Sequence, residues 1–298
     1  MNKMDRRQFI QTGLTGLAGL SVISTGMLNL NCTAPGALTL DKVKLGNSGL
    51  IVSRIAMGTG TRGGNKASNQ TRLGMEKFVK LAHYAYERGI TFYDTADGYG
   101  SHPYVGNALK SLPRDKVILL TKMWTFDEGS DQKEPVEKVL DRYRSETGSD
   151  YFDILLMHCL TKGNWRETRK YYMDAFSKAK QDGIVKAIGV SCHDIGALAE
   201  AAVNPWVEVI MARINPFGTL MDGSPDAVKA ILATAKNNGK GIIGMKIFGE
   251  GRNIKDDERQ QSLQYALSEG NIHCMTLGME TDDQMDDAIA RVMKIAKS

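Results

Sequence analysis

Cysteine and proline are both scarce in this 298-residue chain, at four and seven. Cys32, Cys159, Cys192 and Cys274 form no C-x-x-C pair, so a zinc knuckle or an iron–sulfur centre has no ligand set and no metal site is expected. Cys32 lies in or beside a leader-like segment. The remaining three are an odd number, which argues against a disulfide framework, and small buried apolar residues are their expected role. There is no basic run with interleaved aromatics, so nucleic acid is not an expected partner. The formal charge is only +4, and half of it comes from residues 1–37. With 42% hydrophobic and 24% charged residues the chain has ample material for a packed core, in one large α/β domain or two small ones.

Residues 1–37 do not read as part of that core. Arg6-Arg7-Gln8-Phe9-Ile10 opens a long, weakly apolar stretch from Gly13 to Leu30, and small residues follow at Thr33-Ala34-Pro35-Gly36-Ala37. A charged start, apolar middle and small-residue end are the anatomy of an export signal, and the paired arginines resemble the twin-arginine class. The 18-residue stretch is nearly long enough to span a bilayer, but its glycines and hydroxyls make it a poor anchor. The expectation is a leader over 1–37, only transient contact with the membrane, and a periplasmic or otherwise extracytoplasmic product. The domain proper is expected over 38–298.

From Leu38 onward, short apolar runs alternate with amphipathic ones. Strands are predicted near 54–57, 91–93, 117–121, 152–157, 185–190, 207–211, 241–245 and 273–277, apolar on nearly every position as strands buried on both faces require. Helices are predicted over roughly 72–88, 103–111, 133–147, 165–182, 194–202, 224–238, 257–268 and 281–296. Gly89, Gly183 and Gly239 sit just beyond three of them. Eight strand–helix units in about 250 residues predict an α/β fold of the (β/α)8 TIM-barrel type. A doubly wound sheet would need a G-x-G-x-x-G turn running into a helix. Gly58-Thr59-Gly60 is the nearest approach, and the residues after it do not continue as one. Residues 43–52 read as a β-hairpin that would cap the N-terminal mouth.

In such a barrel, function collects where strands end. The second predicted strand ends in Asp94, with Tyr99 five residues on in a glycine-flanked loop. The third ends in Lys122, the fourth in His158 and the fifth in Ser191. Each alone has a bland explanation as a cap, a rim residue or a packed histidine. Their coincidence on consecutive strand ends predicts one site. An ammonium beside a phenol stabilises tyrosinate and lowers its pKa from ~10, a carboxylate fixes the ammonium, and an imidazole can orient a carbonyl oxygen. That set suits carbonyl reduction, with the hydride coming from a cofactor because no side chain supplies one.

These residues carry a family resemblance. Phe92-Tyr93-Asp94-Thr95-Ala96-Asp97-Gly98-Tyr99-Gly100, Leu119-Leu120-Thr121-Lys122, Tyr151 to His158 and Gly183 to Ser191 together resemble the aldo-keto reductases, over about residues 43–287. The resemblance implies an NAD(P)(H)-dependent oxidoreductase acting on a small carbonyl, alcohol or sugar. Tyr99 would be proton donor, Lys122 and Asp94 would tune it, and His158 would position substrate. Ser191 would hold the nicotinamide carboxamide, with Cys192, Met211 and Met245 around the ring. The last three depart from the family pattern, which has Asn, Gln and Tyr there. Lys246 would stand beside Met245, Phe248, Gly249, Gly251 and Arg252 would take the phosphates, and Gly278, Asp282 and Gln284 the far ribose. Glu280, Asp282 and Asp283 would repel a 2′-phosphate, which favours NAD(H) over NADP(H). The chain runs from its last helix straight to Ser298, without the family's C-terminal loop, which predicts an open pocket with Trp124 as its aromatic wall. Export and the three departures keep two alternatives open: a retained cofactor running a redox-neutral reaction such as epimerisation, and a non-catalytic binding subunit.

Overall fold

Eight parallel strands close on themselves in the computed structural model, which describes residues 40–131, 134–268 and 271–296. The leader expected over 1–37 lies outside the described residues. Ahead of the barrel, β1 (Lys42–Lys44) pairs antiparallel with β2 (Ile51–Ser53). The barrel strands are β3 (Ile55–Gly58), β4 (Phe92–Asp94), β5 (Ile118–Trp124), β6 (Phe152–Leu160), β7 (Val185–Cys192), β8 (Val209–Arg213), β9 (Gly241–Met245) and β10 (Cys274–Leu277). They are hydrogen-bonded in chain order, and β10 returns to β3 through Met275–Ile55, Thr276–Ala56 and Leu277–Met57. The predicted (β/α)8 architecture and its hairpin are both present.

Helices α1 (Asn69–Arg72), α2 (Met75–Glu87), α3 (His102–Leu109), α4 (Val136–Thr147), α5 (Trp165–Thr168), α6 (Lys170–Gln181), α7 (Ile195–Val203), α8 (Pro225–Asn237), α9 (Asp256–Leu267) and α10 (Asp282–Ile295) fill the connections. Local chemistry sets several starts. Asp194 accepts from the Ala197 N–H at 2.9 Å, Ser224 precedes Pro225 and accepts from Ala227, and Thr281 accepts from Gln284 at 3.3 Å. The helix expected over 165–182 is two, broken at Arg169, where φ is −121°. Among the described residues no helix is long and apolar enough to cross a membrane.

Strand alternation builds two apolar layers. Phe92, Leu120, Ile154, Leu156, Ala187 and Ile243 fill the barrel interior, and Leu45 and Val52 of the hairpin join that cluster. Leu45 meets the start of β9, where Gly241 leaves it room, and the Asn47 N–H donates to Gly239 at 2.8 Å. The hairpin therefore plugs the mouth where the strands begin. Tyr93, Leu119, Leu155, Ile188 and Val190 face the other way, into the layer under the helices. Only the C-terminal mouth is left for polar inward-facing side chains.

Candidate active site

The interior parity that fills the barrel also delivers the polar residues. Above Leu120 on β5 come Lys122 and Trp124; above Leu156 on β6 comes His158; above Ala187 on β7 comes Ser191. Lys122 and Asp94 are buried, at 1% and 4% exposure, a costly place for charge unless it is paired. They pair with each other: Lys122 Nζ donates to Asp94 Oδ1 and to the Thr95 carbonyl at 3.0 Å. Thr276 Oγ1 on β10 donates to Asp94 Oδ2 at 2.8 Å, so the carboxylate is held from both sides.

Tyr99 ends a short 3-10 turn, Asp97–Tyr99, and Gly100 follows it at φ 65°. Its ring lies flat on the loop after β3. A Cβ on Gly60 would stand 2.2 Å from that ring, so only glycine admits it. Lys122 Nζ is 4.8 Å from the Tyr99 ring centroid. The His158 ring stands edge-on to Tyr99 at 5.6 Å, and Trp124, 45% exposed at the rim, covers His158 at 4.5 Å. Acid, phenol, ammonium, imidazole and aromatic wall are therefore one cluster. The ladder between β6 and β7 is irregular between Met157 and Leu160, and Cys159 there has φ 60°. This bulge turns β6 just where His158 reaches the mouth.

The electrostatics correct one expectation. Burial raises the Tyr99 pKa and outweighs the opposing Lys122 charge, so the phenol keeps its proton more firmly than free tyrosine. Burial also works against the charge on Lys122, but Asp94 and Tyr99 prevail and its pKa is raised. Burial, reinforced by Lys122 and His193, holds His158 well below the usual histidine value, so the imidazole is neutral.

A cavity of about 660 Å³ opens beside Tyr99 and Asp94 and runs along the ends of β8, β9 and β10 to the start of α10. Met211, Met245 and Lys246 line it as expected, with Phe248, Gly251, Gly278 and Gln284 further along. Five expected cofactor residues are absent from its lining. Cys192 is fully buried under the helices, because it is one residue out of phase with inward-facing Ser191. Gly249 is buried against Thr219 and Asn253, and Arg252 is exposed outside the cavity. Asp282 instead lines a shallow neighbouring pocket with Lys77 and Lys80 of α2, which shares Glu280 and Asp283 with the cavity. Ser191 also lies outside the lining, yet its Oγ is buried with no hydrogen-bond partner among the described residues, as is His158 Nδ1.

Thr61, Arg62 and Asn69, on the loop after β3 and on α1, line the cavity although nothing in the motifs marked them; Ile254, Arg259 and Asp287 do so at its far end. Thr276 could have been found from the sequence, since it alternates with an inward-facing neighbour on a predicted strand. Asn69 Nδ2 donates to Glu280 Oε1 at 2.8 Å, joining the two walls. Glu250 pairs with Lys246 and takes the Arg62 N–H, so the loops after β3 and β9 also meet.

Residues 54–297 match the model of the aldo/keto reductase family. The chain belongs to the aldo/keto reductase family. It is thus an NAD(P)-dependent oxidoreductase by family. L-galactose dehydrogenase of Arabidopsis thaliana is 26% identical over 84% of this chain and 88% of its own. The NADH-specific methylglyoxal reductase of Escherichia coli K12 is 25% identical over 67% of this chain and 65% of its own. Among solved structures, the holo form of an aldo-keto reductase from Bacillus halodurans superposes with a TM-score of 0.66, at 19% identity, over 87% of this chain and 96% of that one. That likeness concerns the fold.

The residues present fit a nicotinamide dinucleotide. The cavity has the size of a cofactor cleft, Gly251 at φ 87° leaves open space above its backbone, and the buried Ser191 hydroxyl lacks an acceptor and a donor that an amide would provide.

Proposed function

We propose that this protein interconverts a small carbonyl compound and its alcohol, with Tyr99 as the proton donor. The observation that carries this reading is the convergence of Tyr99, Lys122, Asp94 and His158 at one end of a cofactor-sized cavity. Bound nicotinamide supplies or accepts the hydride. Ser191, Met211 and Met245 would hold its reactive end, Lys246, Phe248 and Gly251 its phosphates, and Gly278 and Gln284 its far ribose.

The side chains then act as follows in the reducing direction. Neutral His158 donates a hydrogen bond to the carbonyl oxygen and fixes it near Tyr99. As negative charge builds on that oxygen, the Tyr99 phenol gives up its proton to it, leaving tyrosinate and the product alcohol. Lys122 stays charged because of Asp94, and its ammonium stabilises the tyrosinate. The raised Tyr99 pKa keeps the donor loaded until substrate charge develops.

NAD(H) is favoured over NADP(H) in this reading, because Glu280, Asp283 and Asp287 line the far end of the cavity. Arg62 and Arg259 are the basic residues there, and Arg259 is committed to Asp256 and Asp287. The protein is exported by the twin-arginine route; the sequence of 1–37 supports this part of the reading. The test is oxidation of NADH and NADPH by purified protein with simple aldehydes, followed at 340 nm. Turnover that disappears in Tyr99→Phe supports the reading, and turnover retained there refutes it.

A further inference from the structure

One layer above the reacting centre lies a polar cluster that the hydride-transfer chemistry does not use. Ser191 and Met211 are register partners on β7 and β8. His193 and Arg213 each stand two residues further on, so both point inward side by side, about 7 Å nearer the open mouth. Arg213 Nη2 donates to His193 Nδ1, and Arg213 Nη1 pairs with Asp222 Oδ1 at 3.1 Å. The Asp222 side chain is 3% exposed and that of Arg213 20%, so the carboxylate is enclosed while the arginine side chain stays partly open. Lys122 helps lower the His193 pKa, and His193 helps lower that of His158, in keeping with a cluster near the catalytic residues.

We propose that Arg213 and His193 recognise an anionic group on the substrate, so that the preferred substrate is an oxo-carboxylate or its hydroxy-acid counterpart; this rests on the hydride-transfer reading above. A guanidinium at a strand end, braced by a buried carboxylate, presents a fixed fork that suits a carboxylate. Its Nε is buried with no hydrogen-bond partner among the described residues, and so is Asp222 Oδ2. Internal pairing thus engages Nη1 and Nη2 and leaves the guanidinium Nε–H without an acceptor. Burial first, then Arg213, pushes His193 down to about 3, so the ring is neutral. With Nδ1 accepting from Arg213, the hydrogen sits on Nε2, which is free to donate to a second acceptor. The spacing of one strand layer separates the carbonyl from the anion by a few carbons.

The test compares 4-oxobutanoate with butanal, aldehydes of equal carbon number, in steady-state reduction by wild type and by Arg213→Met and Arg213→Lys. Wild type should show kcat/KM at least tenfold higher for 4-oxobutanoate. Arg213→Met should collapse that ratio about 10–100-fold, chiefly through KM, and Arg213→Lys should keep part of it. A wild-type ratio near one, or one unchanged in Arg213→Met, overturns the proposal and leaves hydride transfer intact. If neither aldehyde turns over with either nicotinamide, the hydride-transfer reading fails. Binding then decides on its own: succinate should raise the melting temperature of wild type and not of Arg213→Met, and no protection of wild type overturns the anion site.

Discussion

At the scale of single residues, Tyr99→Phe removes one hydroxyl and leaves the ring on Gly60, so cofactor binding should survive while turnover falls about 10²–10⁴-fold. Single-turnover kinetics with aldehyde check this. Lys122→Met leaves the Asp94 carboxylate buried with only Thr276 for support. It should cost activity on a similar scale and lower the melting temperature, because an unpaired buried carboxylate is expensive. His193 gives a prediction about stability. Its folded pKa of about 3 lies below the unfolded ~6.5, so its contribution is fully present above pH ~6.5 and is lost as pH falls towards 3. Asp222, raised to about 6 mainly by burial, works the other way: its contribution is present below its unfolded value and lost as pH rises to about 6. His193→Gln removes only the first of these opposing terms. Urea midpoints should then show the slope of stability against pH, between about 4 and 6, reduced by up to about 1.4 kcal/mol per pH unit. An unaltered slope would mean the imidazole is protonated in the fold. Asp94, Tyr99, Lys122 and His158 were legible in the sequence because strand ends announce themselves. Cys192, one position out of phase, and the net rise in the Tyr99 pKa were not: inward parity and the weight of burial against charge are properties of the closed barrel.

At the scale of elements, the glycine loop after β3 earns its composition from the phenol it supports. Gly60→Ala adds a methyl that would meet the Tyr99 ring at 2.2 Å, and Gly63 lies against the same ring. The ring has to shift, and a displacement near 1 Å can cost on the order of 10²-fold. The expected outcome is a loss of kcat with little change in far-ultraviolet circular dichroism; full activity would show that the ring can move without penalty. The start of α10 poses a different question. The sequence marked Glu280, Asp282 and Asp283 alike, yet a helix turns its first residues to different sides. Glu280 and Asp283 line both the cavity and the pocket against α2, whereas Asp282 lines only the latter. Glu280→Lys with Asp283→Arg should therefore shift the NADPH-to-NADH ratio of kcat/KM upward at least tenfold, and Asp282→Lys should leave it within about twofold of wild type. Equal effects of both changes would show that the cofactor's ribose lies elsewhere. All eight strands and their order were readable from apolar runs. The break at Arg169 and the small helix α1 were not, because neither interrupts the hydrophobic pattern that the surrounding residues present.

At the scale of the whole molecule, closure decides when the fold exists. β3 near the beginning of the barrel pairs with β10 near its end, so Met57 finds Leu277 only after more than 200 intervening residues have been made. The two sides of the cavity are assembled from the same ends of the chain: Gly60 and Thr61 from the first loop, Gly278 and Gln284 from the last. Neither the barrel nor the cofactor cleft can form on a chain emerging from the ribosome until α10 has followed. A leader that sends an unfolded chain outward would separate this protein from its cofactor before the cleft exists. The paired arginines at Arg6 and Arg7 are consistent with a route taken by proteins that have already folded. Arg6→Lys with Arg7→Lys, which keeps the charge and loses only the guanidinium pair, should leave full-length protein in the cytoplasm with undiminished specific activity. Cell fractionation followed by the aldehyde assay measures both quantities at once. Undisturbed export of the double variant would show that residues 1–37 do not act as a twin-arginine leader, and the barrel's late closure would then have to be reconciled with another route.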